Sequence, residues 1–116
     1  MGKIHAHGNG SFGPYQVFSA QGTTAEVSLT LEVPCRRFTL HWQKGSTNAT
    51  LNMVGHLAAS SLSTAGAAIF TLAATSSTGG TLTSTESTGP YSRLTFNHAA
   101  GASTGGLNVW VAGTPA

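Results

Sequence analysis

The sequence predicts an all-β protein, an antiparallel β-sandwich of six or seven short strands with little helix. Three observations predict it. Apolar and polar residues alternate with a period of two in successive segments. Clusters of Gly, Pro, Ser, Thr and Asn separate those segments. Ser and Thr, suited to turns and to solvated strand faces, number 13 and 17 among 116 residues. Jelly-roll and immunoglobulin-like topologies both satisfy this pattern, because alternation does not set strand order.

Residues 1–25 read as an extended N-terminal arm and residues 26–116 as the sandwich domain. Gly8, Gly10, Gly13 and Pro14 interrupt any helical or strand period in the arm. Phe12, Tyr15, Val17 and Phe18 are four apolar anchors on that flexible backbone, more than a solvated tail needs, so the arm is expected to lie on a partner. The body opens with Glu26-Val27-Ser28-Leu29-Thr30-Leu31-Glu32-Val33, which sends Val27, Leu29, Leu31 and Val33 to one face. Pro34 lacks an N–H and is expected to end that ladder.

Phe38-Thr39-Leu40-His41-Trp42-Gln43 alternates next, with Trp42 in the inward set, and stops at Lys44-Gly45-Ser46. Ala49 to Gly55 is a third strand and Ala68 to Ala74 a fourth. A two-turn helix between Leu57 and Ala68 is an alternative that Ser, Thr and Gly66 weaken. Ser76 to Gly80 reads as a turn and Thr81 to Thr85 as a polar edge strand. Gly89-Pro90 opens Tyr91 to His98, with Leu94 and Phe96 inward and Arg93, Thr95 and Asn97 outward. In the last strand, Leu107 to Ala112, Leu107, Val109 and Val111 share one face and leave Trp110 on the other.

Chemistry is sparse in this chain. There is no Asp, and Glu26, Glu32 and Glu86 are the only acidic side chains. No motif sets a carboxylate beside a histidine and a hydroxyl or thiol, so no catalytic residue is expected and the chain does not read as an enzyme. Five Lys and Arg residues give a net charge of +2, too few for the phosphate footprint of a nucleic-acid binder. His5 and His7 flank Ala6 and would point the same way on an extended chain. Without a cysteine pair or carboxylates nearby they make a poor metal site, and no metal or cofactor is expected. Cys35 is alone and is expected to be a buried thiol. No apolar run suggests a signal peptide or a membrane span, so synthesis and assembly in the cytoplasm are expected. Trp110, costly to leave in water, and Tyr91, at the rim of its strand, are the expected subunit-interface residues.

From Phe38 to Ala112 the chain resembles a sandwich domain of tailed-bacteriophage structural proteins, including capsid decoration (cement) proteins. The likeness lies in Phe38-Thr39-Leu40-His41-Trp42, the strand around Phe70-Leu72, Gly89-Pro90-Tyr91-Ser92-Arg93-Leu94, and Gly105-Gly106-Leu107-Asn108-Val109-Trp110-Val111. The resemblance implies a virion protein on the capsid surface that stabilises the head by bridging subunits of the major capsid protein. A homotrimer is favoured over a dimer. The arm residues Phe12, Tyr15, Val17 and Phe18 would contact the capsid, and Arg36, Arg37 and Arg93 would meet acidic patches on it. The alternative is a phage tail adaptor or a host-adhesion, carbohydrate-binding module.

Overall fold

A computed structural model describes residues 2–21, 25–44, 50–57, 67–72, 79–83, 90–100 and 106–115. These form nine strands: β1 (Gly2–Ile4), β2 (Phe12–Gln21), β3 (Ala25–Cys35), β4 (Arg37–Lys44), β5 (Thr50–His56), β6 (Ala67–Leu72), β7 (Gly79–Thr83), β8 (Tyr91–Ala100) and β9 (Leu107–Thr114). One sheet has the order β1-β3-β8-β5-β6 and the other β2-β9-β4-β7. Pairing is antiparallel except between β1 and β3. The chain is thus all-β, with two sheets packed face to face as in a β-sandwich. The helix considered between Leu57 and Ala68, and most of the turn at 76–80, fall on residues outside those described.

The last two strands in sequence fill the middle of the two sheets, β8 between β3 and β5 and β9 between β2 and β4. Their alternation suits that place. Leu107, Val109 and Val111 of β9 and Leu94 and Phe96 of β8 are buried, and each faces the opposite sheet. Leu29 and Leu31 from β3, Phe38, Leu40 and Trp42 from β4, and Leu51 and Met53 from β5 complete the centre of the core. Ring contacts join the layers: Phe38 lies 6.4 Å from Tyr91, and Phe18 lies 6.1 Å from His98. The polar strand β7 holds the sheet edge beside β4, where its sequence places it.

Three features depart from the sequence-based expectations. The first concerns the stretch read as an arm, where residues 12–21 are β2, hydrogen-bonded along β9. Phe12 and Phe18 are buried in the chain's own core, and Val17 packs against it. Their anchors therefore cover β9 and β4 of the same molecule, and only Tyr15, 39% exposed, keeps a large free surface. Three register shifts along β2, with positive φ at Gly13 and Ala20, account for the missing strand period.

The second is Pro34, which lies within β3 rather than after it. Regular pairing with β8 stops at Thr30–Arg93 and resumes only at Cys35–Tyr91, so the proline occupies an irregular stretch where no ladder N–H is required of it. The third is Tyr91, expected at the rim but 2% exposed between the sheets. Gly55 makes room for it: a Cβ there would stand 2.6 Å from the Tyr91 ring.

Candidate functional site

The outer face of the five-stranded sheet carries a grid of side chains fixed by register. Arg93 lies between Thr30 and His56, Thr95 between Ser28 and Val54, and Asn97 between Glu26 and Asn52. The middle row is short, and longer side chains stand at either end. The result is a hollow of about 410 Å³, lined by Glu26, Ser28, Asn52, Val54, His56, Arg93, Thr95 and Asn97, with Ala68 from β6.

Its two ends differ electrically. At one end Arg93 is only 6% exposed, and its Nε and Nη2 atoms are buried without a hydrogen-bond partner. His56 beside it is 3% exposed, places Nε2 3.0 Å from Thr95 Oγ1, and leaves Nδ1 unpartnered. Burial, and secondarily the charge of Arg93, push the His56 pKa below its ordinary value of 6.5. At the other end Glu26 and Asn97 are exposed. Ser28 Oγ and Thr95 Oγ1, 3.3 Å apart, join the middle of the floor.

A hydroxyl against an imidazole invites a catalytic reading, which the surroundings oppose. A base that activates Thr95 would have to become an imidazolium, yet Arg93 and burial disfavour that state, and no carboxylate orients Nδ1. The Nε and Nη2 groups of Arg93 have no partner and are closed off from solvent. Alternation correctly assigned Arg93 to the outward face but could not reveal its burial. An arginine at an outward position in a strand otherwise free of charge was the available signal.

The other sequence-selected residues are dispersed. Trp110 is half-buried in a row across the outer face of the four-stranded sheet, paired with Gln16 on β2 and His41 on β4. The His41 ring lies 5.4 Å from it and reaches Thr81 at 2.9 Å. Arg37 lines a different hollow, with Phe12, Thr39 and Thr114, so Arg93 and Arg37 do not share one basic surface. The Arg36 N–H donates to the Thr114 carbonyl at 2.9 Å, pinning the corner between β3 and β4. His5 and His7, both exposed, line one shallow hollow with Tyr15. His5 sits 3.5 Å from Glu32, whose other oxygen accepts from the Ala6 N–H at 2.9 Å. No group of three or more metal-ligating side chains gathers among the described residues. Cys35 is buried, and desolvation pushes its thiol up to about 11.

No family model matches the chain, and no curated protein matches it.

Proposed function

We propose that this chain is a structural virion protein of a tailed bacteriophage, a capsid decoration or cement protein that bridges subunits of the major capsid protein, acting without catalysis or cofactor. The strand order carries the reading. The order β2-β9-β4-β7 against β3-β8-β5-β6 supports a jelly roll over an immunoglobulin-like sandwich, an architecture used by viral capsid and lectin domains. The second support is an outer surface of Gln16, Thr39, His41, Gln43, Thr81 and Asn108 around a half-buried Trp110, polar with little charge. Such a face suits close packing between subunits, and Trp110 is the large apolar group it offers. With Phe12, Val17 and Phe18 committed to the core, capsid contact falls to Tyr15 and the strand faces.

Light scattering after size exclusion, with sedimentation onto heads of the encoding phage stripped of this chain, tests the reading. A discrete mass of three chains and co-sedimentation with the heads support it. A monomer removes the homotrimer, and failure to co-sediment removes the capsid role. The adaptor or adhesion reading is favoured by one observation, the polar hollow on the five-stranded sheet. Saturable binding of a host-surface glycan, without head binding, would establish it.

A further inference from the structure

We propose that the hollow lined by the end of β1 and the start of β2 binds one divalent transition-metal ion, zinc or a chemically similar ion, through His5 and His7, with Glu32 orienting the His5 ring. In the sequence the weakness of this pair is the want of a carboxylate nearby, and the fold supplies one. Parallel pairing sets Ile4 against Leu31 and so brings the residues that follow, His5 and Glu32, together. Glu32 Oε1 accepts from the Ala6 N–H at 2.9 Å, and Oε2 lies 3.5 Å from His5 Nδ1. Both imidazoles line one hollow of about 280 Å³, with Ile4, Gly13, Pro14 and Tyr15.

A carboxylate can only accept, so its contact with His5 fixes the ring proton on Nδ1. In the neutral ring the lone pair is then on Nε2, which is the ligand atom. A carboxylate behind a ligating histidine holds the tautomer and makes the imidazole a better base toward a metal. His7, the second ligand, is carried on a closed turn: its N–H donates to the Ser11 carbonyl at 2.7 Å, and its carbonyl accepts from the Gly10 N–H at 2.9 Å. Two imidazoles select zinc, copper or nickel over calcium and magnesium, which require several oxygen ligands. No group of three His, Cys or Glu side chains suited to a metal gathers among the described residues, so the other coordination positions go to water. The hollow has room for several waters of about 30 Å³ each. With Ile4 in one sheet and Tyr15 in the other, the ion is a structural tie between two sheet edges.

The test follows the ring resonances of all five histidines in the full ¹⁵N-labelled chain while zinc chloride is added, with calcium chloride in parallel. Zinc is expected to move His5 Nε2 and the His7 ring together, saturably, at one ion per chain. His41, exposed on β4, should stay in place. Glu32→Gln can still accept from the Ala6 N–H but no longer offers an oxyanion to His5, and it should weaken zinc binding roughly 10- to 100-fold. Glu26→Gln removes the same charge from the same strand six positions, about 20 Å, away and should change the affinity by less than about twofold. Free zinc at about 100 times its dissociation constant should raise the thermal midpoint by roughly 10 °C.

No saturable movement of His5 and His7, or equal movement of His41, overturns the site with no variant needed. Displacement of zinc by calcium overturns the assignment to imidazole ligands. Unchanged affinity in Glu32→Gln, with an unchanged circular dichroism spectrum, reduces the pair to the chelate that any extended His-Ala-His forms and overturns the orienting role. An unmoved midpoint means that the unfolded chain binds zinc equally well, and it overturns a site built by the fold. None of these readouts depends on whether the chain binds capsids.

Discussion

His56 shows how burial sets the behaviour of a titrating residue, with a neighbouring charge adding to it. Buried beside Arg93, it takes up a proton less readily in the folded chain than in the unfolded one. Its folded pKa lies below 6.5, so the unfolded state binds more protons in the window between the two values. The contribution to stability is therefore complete above pH 6.5 and is lost as pH falls through that window. Thermal unfolding followed from pH 7.5 to pH 5 should show a falling midpoint, and His56→Gln should flatten the profile; an equally steep profile in the variant would assign the loss to other groups. His98 presents a different problem, because it is fully buried in the core with neither ring nitrogen hydrogen-bonded. Each such orphaned group costs about 1–3 kcal/mol. His98→Leu is expected to stabilise the fold by roughly 1 kcal/mol, raising the midpoint by about 4 °C. A lower midpoint would mean that the imidazole contributes packing against Phe18 that leucine cannot replace. Alternation sets His98 on the inward face with Leu94 and Phe96 and sets His41 and His56 outward, but it does not report that His56 is buried while His41 is exposed.

Among the elements, β2 and β9 are the pair whose relation was hardest to read. The alternation of β9 is plain, whereas glycines and a proline break the pattern of β2. Phe12, Val17 and Phe18 were recognisable as apolar anchors, but which surface they covered depended on what the fold left open beside β9. Gly113 supplies part of that surface. It pairs with Phe12 on one side and Phe38 on the other, two rings 6.4 Å apart, and a Cβ there would lie 2.3 Å from Phe12. Gly113→Ala is therefore expected to destabilise the protein by about 1–3 kcal/mol through overpacking, measured by urea unfolding. A change within error would mean that the edge of β2 can shift away without loss. Trp110 on the same strand is held by Gln16 and His41, so its half-burial owes as much to neighbouring strands as to its position in β9.

At the scale of the molecule, the chain exposes 5768 Å², against the roughly 5,900 Å² expected of a compact monomer of 11.8 kDa. Its radius of gyration of 13.4 Å also matches the value of about 13 Å for a folded chain of this length. One subunit by itself thus buries the amount ordinary for its mass. The fold should therefore survive separation of any oligomer. Diluting the protein until light scattering reports single chains should leave its far-ultraviolet circular dichroism unchanged. Loss of strand signal on dilution would show that folding and assembly are one process.

The sequence by itself determined the all-β class and most inward faces, because alternation of period two reports directly which side of a strand meets the core. It identified Leu29, Leu40, Leu94, Phe96 and Val109 as core residues, and Thr81 as part of an edge strand, for that one local reason. Tertiary structure decided what depends on neighbours distant in sequence: the place of β2 along β9, the parallel pairing of β1, and the turning of Tyr91 over Gly55. It also decided the candidate site. Arg93, His56 and Glu26 come from three strands, and their spacing, burial and opposed charge arise only when register brings those strands side by side.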